Sequence, residues 1–106
     1  MMSQYVLTEY SRNDLISIRR YTFQQWGSRQ SAHYLDQLKK ILHLLSEMPL
    51  MGKSCEDDLA LDMYRFPFNS HVIYYSLLPN NSIMIVAILH QGMSPSVHLD
   101  MRVSTI

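Results

Sequence analysis

Disulfide chemistry is the first thing this sequence excludes, because Cys55 is its only cysteine. An internal bridge needs two, and nothing else asks for an oxidising compartment. Glycine is nearly as scarce. The three glycines stand at 27, 52 and 92, too far apart to form a phosphate-cradling loop. Long apolar runs are missing too: the longest, Ile83 to Leu89, falls far short of the roughly 20 residues that span a bilayer. Met1 to Leu7 has no basic segment leading into an apolar core, so no secretory signal is read there and a cytoplasmic location is expected. Neither sign of charge dominates, with nine basic and nine acidic residues and a formal net charge of zero. That excludes a general attraction for nucleic acid or an anionic membrane, and no sequence-specific nucleic-acid contact is expected. No His-Glu-x-x-His or Cys-x-x-Cys spacing occurs, so neither a metal nor a cofactor is expected.

What is present is an ordinary globular mixture, 47% hydrophobic and 17% charged over 106 residues, enough for one domain spanning 1–106. Its centre is the stretch from Tyr64 to Tyr75. Tyr64, Phe66 and Phe68 alternate with Arg65 and Pro67, as in a strand with one face buried. Pro67 lacks a donor and places that strand at an edge or bulge. Asn69-Ser70 suits a tight turn. Val72 to Tyr75 is apolar on both faces, as is Ile83 to Leu89 beyond the turn cluster Pro79-Asn80-Asn81. Together these runs predict a three-stranded antiparallel meander.

Upstream, Tyr5-Val6-Leu7 reads as a short strand, and Thr8 as the cap of a helix whose first turn carries Glu9. Leu15, Ile18, Thr22 and Trp26 recur at helical spacing, with Trp26 expected as a core anchor. Gly27 ends that helix and Ser28 caps the next, whose stripe is Ala32, Leu35, Leu38, Ile41, Leu42 and Leu45. So short a connection predicts an antiparallel helical hairpin. The expected fold is α+β: an N-terminal strand, then the hairpin packed on an antiparallel sheet, with Leu15, Ile18, Leu35, Leu38, Leu42 and Leu45 buried. Residues 50 to 63 read as an acidic irregular connection with Glu56, Asp57, Asp58 and Asp62. The tail from about 91 shows no clear period, and Gln91 to Pro95 reads as a break. One hairpin covers one sheet face. The other face needs the tail, a second copy or a partner, and the partner is the reading taken.

In this order the elements resemble the RelE/ParE toxin superfamily of bacterial toxin–antitoxin modules. The stretches that carry the likeness are Tyr21-Thr22, Trp26-Gly27, Tyr34-Leu35 and Leu44 to Pro49 in the helices. Gly52-Lys53-Ser54-Cys55, Tyr64-Arg65-Phe66-Pro67, Ser70 to Tyr75 and Ile88-Leu89-His90 follow, so the likeness runs over about residues 4 to 99. The segments 52–55 and 64–75 are similar to the ParE branch in particular. That resemblance implies a poison of DNA gyrase neutralised by a cognate ParD-like antitoxin, without catalysis. The RelE-like branch, which cuts messenger RNA on the ribosome, shares the fold and stays open as the alternative.

RNA cleavage needs a base, an acid and cations around one phosphate. The meander offers Arg65, His71 and His90 for these roles, and no lysine follows Lys53. His71 and His90 stand at strand ends, either as a catalytic pair or as hydrogen-bonded structural histidines, the latter being preferred. Cys55, beside acidic residues, reads as a bystander thiol. For a protein partner, the candidates are Val72, Tyr74, Tyr75, Val86, Ile88 and His90 on the sheet and Met93 beyond it.

Overall fold

Gly27 has φ 87° and ψ 176°, a backbone conformation open almost only to glycine, and there the chain reverses direction. In this computed structural model, which describes residues 4–56 and 62–103, the helix α1 (Glu9–Glu47) is split at Gly27 into two arms. They lie side by side: the Thr22 and Ser31 hydroxyls meet at 2.7 Å, and Ser31 also donates to the Arg19 carbonyl at 3.2 Å. The expected hairpin is thus present. Thr8 caps it as expected, its Oγ1 accepting the Ser11 N–H at 3.1 Å.

The sheet has five strands, β1 (Gln4–Leu7), β2 (Lys53–Ser54), β3 (Tyr64–Phe68), β4 (His71–Leu78) and β5 (Ser82–His90), in the order β1-β5-β4-β3-β2. The meander β3-β4-β5 is antiparallel, as its turns require. Asn69, Asn80 and Asn81 take the positive φ values of those turns. The β1 strand instead joins β5 in parallel, since no short turn constrains it to run the other way. Pro67 lies beyond the reach of β2, which pairs only with Tyr64 and Arg65, so among the described residues its missing donor interrupts no ladder on that side.

One face of the sheet packs on the hairpin. Ile18, Leu38, Leu42 and Leu45 meet Ile73, Tyr75, Ile83, Ile85 and Ile88 there. Leu15 and Leu35 pack against this core only partly buried, and Trp26 is 50% exposed, so it is not the core anchor expected of it. In β5 the register slips by one residue: Tyr75 pairs with Ile85 and Tyr74 with Ala87, leaving Val86 as a bulge. Val86 and Ala87 therefore both join the opposite face.

That opposite face corrects the expectation of an uncovered sheet. The tail forms a helix, α2 (Pro95–Val103), and its Leu99 is fully buried in a second cluster with Cys55, Met63, Tyr74, Val86, Ala87 and Leu89. Ser94-Pro95, which reads as a break, is equally a helix start: a cap residue followed by a proline whose missing N–H has no helical role at that position. The connection before β3 contains a 3-10 turn (Pro49–Met51) and β2, and Asp57 and Asp58 lie outside the described residues. Among the described residues, no helix is long and apolar enough to cross a membrane.

Candidate functional site

The residues considered for chemistry do not converge. His71 and His90 are register partners on β4 and β5, with their rings perpendicular and 5.6 Å apart. Each is tied down by its Nδ1. That of His71 lies 2.8 Å from the Tyr34 hydroxyl, and that of His90 accepts the Gly92 N–H at 3.1 Å. Burial, then the neighbouring charge of His90, holds the His71 pKa below the usual imidazole value, so His71 is neutral at pH 7. Burial raises the Tyr34 pKa, so the phenol keeps its proton, and it shares one hydrogen bond with the neutral His71 ring.

Arg65 is elsewhere. Tyr64, Phe66 and Phe68 pack towards the hairpin, so strand alternation turns Arg65 to the opposite face, where its register partner is Tyr74. His71 reaches Tyr34 of the hairpin, on the other side of the sheet. A general base, a general acid and a cation that share one phosphate must point into one space. Arg65 and the two histidines point into different ones.

The residues proposed for a protein partner divide in the same way. Tyr75 and Ile88 are buried under the hairpin, and Tyr74 and Val86 lie in the cluster beneath α2. Val72 is half-buried at the margin of that cluster. His90 and Met93 are exposed at one end of the sheet. The structure thus brings His90 and Met93 to the surface and withholds the other strand residues behind the chain's own helices. An alternating apolar strand looks the same whether a partner or the chain's own tail covers it.

Periodicity missed a groove of about 650 Å³ between the two arms of the hairpin. Leu15, Ile16 and Phe23 from the first arm and Ala32 and Leu35 from the second form its apolar part. Ser28, Ser31 and Ala32 are small, which leaves space between the arms. Arg12, Arg19 and Lys39 flank it, against Asp36, whose carboxylate lies 3.3 Å from the Lys40 ammonium. Ile16 and Phe23 are about half exposed. Their seven-residue spacing, off the buried stripe, was the signal in the sequence.

Comparison with known proteins agrees with this architecture. The family model described as the ParE toxin of the type II toxin-antitoxin system, parDE, matches residues 5–95. Toxin ParE1 of Caulobacter vibrioides is 32% identical over 98 residues, covering 92% of this chain and 99% of that protein. Toxin ParE of Escherichia coli is 33% identical, over 87% of this chain and 88% of its own length. A solved structure described as a chromosomal ParDE TA system from P. aeruginosa superposes with a TM-score of 0.70 at 14% identity, over 85% of this chain and 96% of that one. At that identity the likeness speaks for the fold.

Proposed function

Because the chain belongs to the ParE toxin family of type II toxin–antitoxin systems, we propose that it arrests growth by binding DNA gyrase, without catalysis of its own, and that a cognate ParD-like antitoxin silences it in the cytoplasm. The observation that carries the non-catalytic reading is the division of Arg65 from His71 and His90 by the sheet. A protein that works by occupying another protein needs shape and apolar anchors rather than a convergent acid, base and cation.

The antitoxin segment is read onto the hairpin groove. Its chemistry follows from the walls: an amphipathic segment would set apolar side chains against Ile16, Phe23 and Leu35 and carboxylates against Arg12, Arg19 and Lys39. Such a segment needs no displacement of α2. The exposed His90 and Met93 remain candidates for a second contact, with gyrase or antitoxin, while Tyr74, Tyr75, Val86 and Ile88 are buried and Val72 is half-buried.

RNA cleavage has one observation in its favour, the adjacency of His71 and His90. Tightly controlled expression separates the two readings. DNA breaks and an SOS-type response as the first effect support gyrase poisoning. Early loss of translation with cleaved messages, before any DNA damage, sinks it in favour of the RNA-cleaving alternative.

A further inference from the structure

A second concavity, of about 480 Å³, opens where three parts of the fold meet: Trp26 at the end of the first arm, Gln30, His33, Tyr34 and Gln37 on the second, and Asn69 in the β3–β4 turn. Gln30, Tyr34 and Gln37 recur at spacings of four and three and so share one helix face. The Trp26 indole leans on Tyr34 at 6.0 Å and 43°, and Tyr34 is held from behind by Phe68, at 5.2 Å edge-on, and by its bond to His71. Trp26 is therefore braced in place while half its surface stays exposed, and Gln30, His33, Gln37 and Asn69 are exposed around it.

The chemistry of this wall is specific. It offers an indole face for stacking and the carboxamides of Gln30 and Gln37, each with a donor pair and an acceptor, beside that of Asn69, which also hydrogen-bonds to Tyr34. None of the lining residues is an acid, a lysine or an arginine. A phosphate or carboxylate finds no fixed counter-charge here. A flat, uncharged ring with donors and acceptors on its edge finds both stacking and complementary amides. Asn and Gln pair with adenine edges for this reason, and tryptophan is a strong platform for base stacking. From the juxtaposition of Trp26 with Gln30, Gln37 and Asn69 we infer a site for a single unpaired nucleobase, preferentially a purine, in addition to the protein-binding surfaces. The base arrives either as a free nucleoside or as one base of a single strand. The inference does not depend on gyrase being the target.

Trp26 is the only tryptophan of the chain, so its fluorescence reads this site directly. The full-length protein is titrated with adenosine and with a short adenine-containing single-stranded oligonucleotide, exciting where tyrosine does not absorb. Saturable quenching by adenosine is expected, with a dissociation constant on the order of 1 mM. Gln30→Ala and Gln37→Ala, both at exposed positions, should each weaken it roughly 5-fold, as the loss of one hydrogen bond does. Equal affinity per base for nucleoside and strand assigns the free base; tighter, salt-dependent binding of the oligonucleotide that both glutamine variants still weaken assigns the strand. Quenching that rises linearly without saturation, is matched by an aromatic amino-acid amide, or is unchanged in both glutamine variants overturns the inference.

Discussion

The Asp14 carboxylate and the Arg102 guanidinium meet edge to edge, with Nη1 2.6 Å from Oδ2 and Nη2 3.0 Å from Oδ1, across 88 residues of sequence. Asp14 Oδ2 also accepts the Ile88 N–H at 2.9 Å, and Arg102 donates to the Val86 carbonyl at 3.2 Å. These are main-chain groups of β5 just past Ile85, where its pairing with β1 ends. The ion pair thus stands in for the missing strand while it pins α2 to the sheet, and Tyr10 lies against the guanidinium at 5.1 Å.

Removing Asp14 takes the carboxylate from Arg102 and the acceptor from the Ile88 N–H, whereas removing Arg102 leaves the Asp14 charge buried without its cation while the Val86 carbonyl keeps the Thr8 hydroxyl at 3.4 Å. Arg102→Met and Asp14→Leu should each cost about 3–5 kcal/mol in urea unfolding. The double substitution should cost clearly less than the sum of the two. Strict additivity in that double-mutant cycle would show that the two side chains act independently.

His71 predicts a pH dependence. Its folded pKa lies below the ordinary 6.5, chiefly through burial, so the folded state prefers the neutral ring. Its contribution to stability is complete above about pH 6.5 and is lost as pH falls through the folded pKa. Thermal unfolding followed as pH falls from above to below the ordinary histidine pKa of about 6.5 should show a steeper loss in the wild type than in His71→Gln. Parallel profiles would mean that another group sets the slope.

The two structural glycines fail for different reasons. At Gly27 nothing lies within 4 Å of an added Cβ, yet φ is 87°, so Gly27→Ala should cost about 1–3 kcal/mol through backbone strain alone. At Gly52 the Cβ would strike the Tyr75 hydroxyl and come within 2.9 Å of the Arg65 carbonyl. That hydroxyl accepts the Gly52 N–H at 3.0 Å and donates to the Pro49 carbonyl at 2.6 Å. Tyr75→Phe should therefore partly relieve the defect of Gly52→Ala but leave that of Gly27→Ala untouched. Chemical denaturation of the three single variants and of Tyr75→Phe combined with each glycine substitution checks this.

Leu38 is fully buried between the hairpin and the sheet. Leu38→Ala should lower unfolding free energy by about 2–5 kcal/mol. A variant of unchanged stability would contradict the packing of the second arm.

Toxicity and antitoxin binding should respond to different residues. Phe23→Ala, at a half-exposed position of the groove, should weaken antitoxin binding roughly 10-fold or more with little loss of fold stability. The double variant His71→Gln, His90→Gln should stay toxic wherever it folds. A folded double variant with toxicity reduced by about two orders of magnitude, on the scale of general acid–base catalysis, would favour RNA cleavage.

The amino-acid order alone determined what depends on near neighbours. The buried stripe from Leu38 to Leu45, the reversal at Gly27, the cap at Thr8 and the turn at Asn69 are written in spacings of a few residues, because helix and strand periods and turn geometry act over that range. The ParE likeness was legible for the same reason, since short stretches in a set order carry it. What covers the second sheet face was not legible. Its cover rests on Leu99 and on Arg102, whose partner Asp14 sits at the opposite end of the chain, and no local period announces a contact across 88 residues. The bulge at Val86, the parallel addition of β1, and the placing of Arg65 and His71 on opposite faces likewise exist only once strands pair, because register is a relation between segments and not a property of either.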